Sequence, residues 1–104
     1  AWVLERLAEP VTLEEMAGHA RMSVRTFTRR FRDETAMSPR QWLLRQRVEH
    51  ARILLESTDL AVETVARRSG LGSATALRQH FQATIGVAPT AYRRTFRQPA
   101  STGS

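Results

Sequence analysis

The chain has 104 residues, 41% hydrophobic and 25% charged, a balance that fits one compact soluble domain, or two very small ones sharing a core, and not a disordered chain. No apolar run approaches the roughly 18 residues of a membrane span, and the absence of cysteine removes disulfides, thiolate catalysis and cysteine zinc sites. The net charge is +6 and all 16 basic residues are arginine; a GC-rich coding bias explains the missing lysine, but the surplus of positive charge points to an anionic partner, most often nucleic acid.

The chain opens on Ala1 without a Met, as expected of a piece of a longer protein. Val3, Leu4 and Leu7 have helical spacing up to Pro10. "TLEE" (Thr12 to Glu15) is a capping box that starts a helix carrying Leu13, Met16 and Ala17 inward. Ser23 is an N-cap for a helix of about 12 residues that is expected to bury Val24, Phe27 and Phe31. Ser38 and Pro39 form an N-cap with proline at the first helical position, launching the longest helix to about Glu56. Its apolar face carries Trp42, Leu43, Val48, Ala51, Leu54 and Leu55. A short helix then holds Val62, Val65 and Ala66, and "SGLGS" turns the chain into "ATALRQHFQATI". A last helix follows Pro89, and "QPASTGS" is a polar tail. No segment alternates with period two, so the predicted fold is all-α.

Much of this pattern occurs twice. "SVRTFTRRF" at 23–31 returns as "SATALRQHF" at 73–81; Phe31, Pro39 and Trp42 match Phe81, Pro89 and Tyr92 at an offset of 50. Leu13, Met16 and Ala17 match Val62, Val65 and Ala66 at an offset of 49, so the second turn is one residue longer, in "GLG". Each copy reads as a short helix, a tight turn and a longer helix, the helix-turn-helix pattern. On the first longer helix Arg25, Thr28, Arg29 and Arg32 are assigned to the outward face; on the second, Thr75, Arg78, Gln79 and Gln82. Arg, Gln and Thr can bond base edges in the major groove, and neither stripe contains an acid, whereas an idle surface mixes both signs.

Other constellations are weaker. His19, His50 and His80 lie about thirty residues apart, without the short-spaced ligand pairs of a metal site. Glu14, Glu15 and Glu63 fall in first turns, where they favour the helix dipole. Trp42 and Tyr92 fall in apolar stripes, and Arg67 and Arg68 read as exposed helix residues. No nucleophile with a base and no phosphate loop is present, so neither enzyme activity nor a cofactor is expected. Two other readings are a helical protein-interaction module touching the transcription machinery, which salt would weaken only modestly, and an RNA binder, which would expose aromatics for stacking.

The motifs "SVRTFTRRF", "SPRQWLLRQRVEHARILL", "VARRSGLGSATALRQHF" and "GVAPTAYRR" resemble the DNA-binding domain of the AraC/XylS transcription regulators over nearly all of residues 1–98. The stretch 42–73 is particularly similar to members whose N-terminal half is a glutamine-amidotransferase-like domain. Ala36 stands where the family usually has glycine, and Leu71–Gly72 replaces an aromatic-polar pair. The resemblance implies seven helices: a first helix-turn-helix subdomain (1–37), a connecting helix (38–57), a second subdomain (58–98) and a disordered tail (99–104). It places base reading on Arg25, Thr28 and Arg29 and on Thr75, Arg78 and Gln79. Phosphate contacts fall on Ser23, Arg30, Ser73 and His80. The implied partner is double-stranded DNA, with RNA polymerase as a further one. The expected setting is the cytoplasm, with the isolated domain monomeric and the longer protein dimeric through an N-terminal domain.

Overall fold

The computed structural model describes residues 2–97; Ala1 and the polar tail from residue 98 on, including the segment 99–104 expected to be disordered, lie outside the described residues. Among the described residues there are six α-helices and no strand: α1 Leu13–His19, α2 Val24–Thr35, α3 Pro39–Ser57, α4 Val62–Ser69, α5 Ala74–Ile85 and α6 Pro89–Arg97. The all-α expectation holds. The first of the seven expected helices is instead a 3-10 turn, Leu4–Arg6, with no side-chain cap. Pro10 bars this turn from running on into α1.

Local signals set the remaining ends. The Thr12 hydroxyl accepts from Glu15 N while the Glu15 carboxylate accepts from Thr12 N, closing the capping box, and Ser38 and Gln41 repeat it on α3. Ser23 and Ser73 accept from the amides of Thr26 and Ala76. The two turns superpose in hydrogen bonding, Met22 N to Ala17 O in the first and Leu71 N to Ala66 O in the second. The extra residue of the second turn is Gly72, in the left-handed region at φ +90°. Ala36, too, sits left-handed at φ 62°, where the matching cap of α5 is Gly86.

α3 joins two unequal halves. Its early core residues Pro39 and Leu43 serve α1 and α2, while Val48, Ala51 and Leu55 serve α4, α5 and α6. Leu43 and Val48 are five residues apart, about 140° of rotation at 3.6 residues per turn. The broad apolar face expected from sequence is therefore two faces. The second half has a closed core of Val48, Ala51, Leu55, Val65, Ala66, Leu71, Leu77 and Phe81. In the first half Leu7, Met16 and Ala17 are buried, but α2 buries nothing fully. Val24, Phe27 and Phe31, expected in the core, are half-buried, and the two phenylalanines line an open apolar cleft of about 290 Å³ with Trp2, Met16 and Trp42. Helices of only 7 and 12 residues with one covering neighbour cannot enclose three large side chains.

Several arginines belong to this scaffold. The last turn of α3 contains no basic residue, and α6 supplies cations to its end. Arg93 donates to the carbonyls of Leu55 (3.1 Å) and Leu60 (2.7 Å), and Arg97 to that of Thr58 (2.8 Å). Arg52 pairs with Glu49 and Glu56, and the Tyr92 hydroxyl donates to Glu56. The molecule is elongated, 55 × 25 × 22 Å, and no described helix is long and apolar enough to cross a membrane.

Candidate nucleic-acid interface

α2 and α5 are each 12 residues long and each begins one residue after a capping serine. The first turn of an α-helix leaves amide N–H groups without intrahelical partners, and with the helix dipole these favour an anion at that end. Neither first turn carries an acid that would oppose an incoming phosphate. In both helices the serine oxygen already accepts one of these amides. Ser23 also donates to the Thr26 hydroxyl at 3.0 Å, which orders the start of α2.

Beyond the caps the two helices expose different chemistry. α2 presents Arg25, Arg29, Arg30 and Arg32 to solvent. A run of guanidiniums makes a strongly positive face suited to bidentate contacts with phosphate or guanine. α5 exposes Thr75, Arg78, Gln79 and Gln82, with a single formal charge among them. The Arg78 guanidinium leans to the Thr75 hydroxyl at 3.5 Å, and the Gln82 amide donates to the Gly86 carbonyl at 3.3 Å, so part of this stripe is held in place.

Two placements differ from the sequence reading. Thr28, assigned to the outward stripe, is half-buried, and its hydroxyl oxygen is closed off from solvent without a hydrogen-bond partner. It lines a groove with Leu13, Met16 and Leu43 between α1, α2 and α3. Four residues advance a helix by about 400°, so Thr28 lies only about 40° round from Val24, at the edge of the core face. That spacing was the signal for it. Arg78 occupies the same position in α5 yet is exposed, because a long side chain reaches past the boundary that a threonine cannot. His80, expected beside a phosphate, is half-buried, whereas Arg30 is exposed.

His19 is exposed and packs at a tilt of 38° against Trp2, with ring centroids 4.4 Å apart. Among the described residues no group of three or more His, Cys, Asp or Glu could hold a metal ion. Arg67 and Arg68 are exposed at the end of α4. Sequence reasoning missed Arg47, which is half-buried against backbone carbonyls, because an arginine gives no sign in sequence of whether it seeks an anion or a carbonyl.

A family model described as a helix-turn-helix domain matches residues 16–95. The HTH-type transcriptional regulator Rv1931c of Mycobacterium tuberculosis is 42% identical over 82 residues, which cover 79% of this chain and 32% of that protein. The HTH-type transcriptional activator RhaS of Klebsiella pneumoniae is 32% identical over 96 residues, 92% of this chain and 31% of that one. The chain thus spans about a third of the length of the curated relatives it matches. Among solved structures, the DNA-binding domain of the global transcriptional factor AdpA, in complex with a target DNA, is 47% identical with a TM-score of 0.90, over 98% of this chain and 92% of that one.

Proposed function

We propose, from the premise that this chain belongs to the AraC-type helix-turn-helix family and is the DNA-binding domain of a transcriptional regulator, that α2 and α5 read two different halves of one asymmetric duplex site. The observation that carries the proposal is the pair of serine-capped 12-residue helices with unlike exposed side chains. Helix-turn-helix dimers present the same surface twice and favour palindromes. Here the duplication lies within one chain, so a monomer brings two addresses.

In this reading Arg25 and Arg29 form bidentate hydrogen bonds with guanine in one half. Gln79 suits adenine in the other, with Thr75 and Arg78 beside it. Thr28 has no outward hydroxyl to offer, so that half depends on the arginines. Ser23 and Ser73 at the helix N-termini, with Arg30 and His80 beside the base-reading positions within the helices, meet phosphates, which position the protein without conveying sequence. α3, with 19 residues, is about 28 Å long at 1.5 Å per residue. That length and the 55 Å long axis are compatible with the roughly 34 Å between successive major-groove faces on one side of a duplex. The longer protein, in this reading, carries its dimerisation and any contact with RNA polymerase outside or alongside these surfaces.

Selection of bound sequences from a random duplex pool, using the isolated domain, tests the proposal. An asymmetric motif with two unlike halves about one helical turn apart is expected; a two-fold symmetric motif overturns it. If about 6–8 phosphates are neutralised, log K should fall against log salt with a slope of about −5 to −7. A slope shallower than about −2 favours the protein-interaction reading instead.

A further inference from the structure

Resting on the two-half-site reading above, we propose that the segment Leu7–Glu9 is a clasp that fixes the distance and angle between the two recognition helices. Arg47 and Gly70 are then positioning residues for reading both halves at once.

The α1–α2 and α4–α5 pairs have no substantial packing between them; each packs within itself and onto α3. The 19-residue α3 joins the two subdomains, and any curvature along it tilts one against the other unless a second contact spans the joint. The segment before α1 does span it. At one end Trp2 packs against His19 of α1, and Val3 lines the same cleft as Met16 and Phe27. At the other end Leu7 is buried, and its carbonyl accepts from Arg47 Nε at 3.2 Å. The Glu9 carbonyl accepts from Arg47 Nη2 at 2.9 Å. Arg47 lies near the middle of α3, so one guanidinium ties the segment to the connecting helix at two points.

Gly70 closes the clasp on the second subdomain. A Cβ at this position would lie 1.7 Å from the Leu7 carbonyl oxygen and 2.8 Å from Arg47 Nε. The backbone of the N-terminal segment therefore rests directly on the α4–α5 turn. The first turn is the built-in comparison. Arg21 occupies the equivalent place, also left-handed at φ 59°, in the same hydrogen-bonding pattern, and is exposed with a full side chain. The turn requires a left-handed residue in both copies, and only the turn covered by Leu7 requires the absence of a Cβ. Any tilt of α5 relative to α2 would have to move Leu7 across Gly70 or break the Arg47 bonds.

Avidity from two linked binding surfaces depends on their geometry matching the spacing of the two sites. The test compares four variants on three duplexes. The duplexes are the one selected by the wild-type chain, the same with one base pair inserted between the halves, and the same with the second half scrambled. Wild type should lose about tenfold or more on the insertion. Arg47→Met and Gly70→Ala should bind the selected duplex about tenfold more weakly, with the insertion penalty largely abolished and single-half affinity within about twofold of wild type. Arg47→Lys, able to hold one carbonyl, should fall between. Gly72→Ala carries the same left-handed strain, at φ +90° with nothing within 4 Å of its Cβ, and should keep the wild-type insertion penalty. Folded Arg47→Met and Gly70→Ala proteins that retain that penalty overturn the clasp; if Gly70→Ala does not fold, the Met and Lys variants of Arg47 decide. A wild-type chain indifferent to scrambling the second half sinks the two-half-site reading, and the clasp with it.

Discussion

Phe31 and Phe81 hold the same place in the repeat, yet alanine at Phe81 should cost about twice what it costs at Phe31. Phe81 has no exposed surface; it packs in the closed core with Val48, Leu55, Val65 and Leu77 and meets Tyr92 edge-on at 5.5 Å. Truncation there leaves a sealed cavity, and about 3–5 kcal/mol of stability should be lost. Phe31 is half-buried on a cleft already open to water, so its transfer contribution is about half of that for a fully buried ring, roughly 1 kcal/mol, without a cavity penalty. Contacts with Phe27 (5.6 Å) and Trp42 (5.7 Å) add to this, about 1 kcal/mol more. Urea unfolding at 25 °C, followed by far-UV circular dichroism and tryptophan fluorescence, separates the two halves. Both tryptophans, Trp2 and Trp42, line the cleft of the first half, so fluorescence follows that half and dichroism follows all helices. The fluorescence midpoint should come first and respond mainly to Phe31→Ala. Equal losses from the two substitutions, within about 0.5 kcal/mol, would refute the argument that the halves differ in core closure.

Arg29→Ala should weaken binding by about 1–3 kcal/mol and relax preference at one or two base pairs in its own half, whereas Arg30→Ala should weaken all sequences alike and reduce the salt slope by about 1; parallel selection and salt titration distinguish them. Ala36→Gly should raise stability by about 0.5–1 kcal/mol in thermal unfolding, since Ala36 caps α2 in the left-handed region. Tyr92→Phe should cost about 0.5–1.5 kcal/mol by removing the hydroxyl that donates to Glu56 while leaving the Arg52–Glu56 pair, measured by urea midpoint. The Thr12 backbone amide, then its hydroxyl, hold the Glu15 carboxyl below its ordinary pKa. A lowered folded-state pKa stabilises above the unfolded value and ceases to as pH falls through the folded one. The gap in urea midpoint between wild type and Glu15→Ala should therefore be present at neutral pH and shrink as pH falls below the ordinary glutamate range.

Much of this molecule is decided within four residues of chain. Thr12–Glu15, Ser38–Pro39, Ser23 and Ser73 announce their helices because a cap acts on amides two or three positions away. The 49-to-50 change in the repeat offset located the extra turn residue, now seen as Gly72. The all-α fold, the paired helix-turn-helix units and most of the two exposed stripes follow from such local rules and from helical period. What lay beyond them was decided by contacts some 40 residues apart in the chain. The roles of Arg47, Arg93 and Arg97 are of this kind, since a guanidinium serves a phosphate, a carboxylate or a carbonyl equally well until the fold brings one of them near. So is the inequality of the halves: Phe31 and Phe81 are the same residue at the same repeat position, and only the number of helices packed around each makes one ring core and leaves the other at the surface. Gly70 and Arg21 make the same point in the backbone. Local hydrogen bonding demanded a left-handed residue in both turns, and only the passage of Leu7 over one of them demanded glycine.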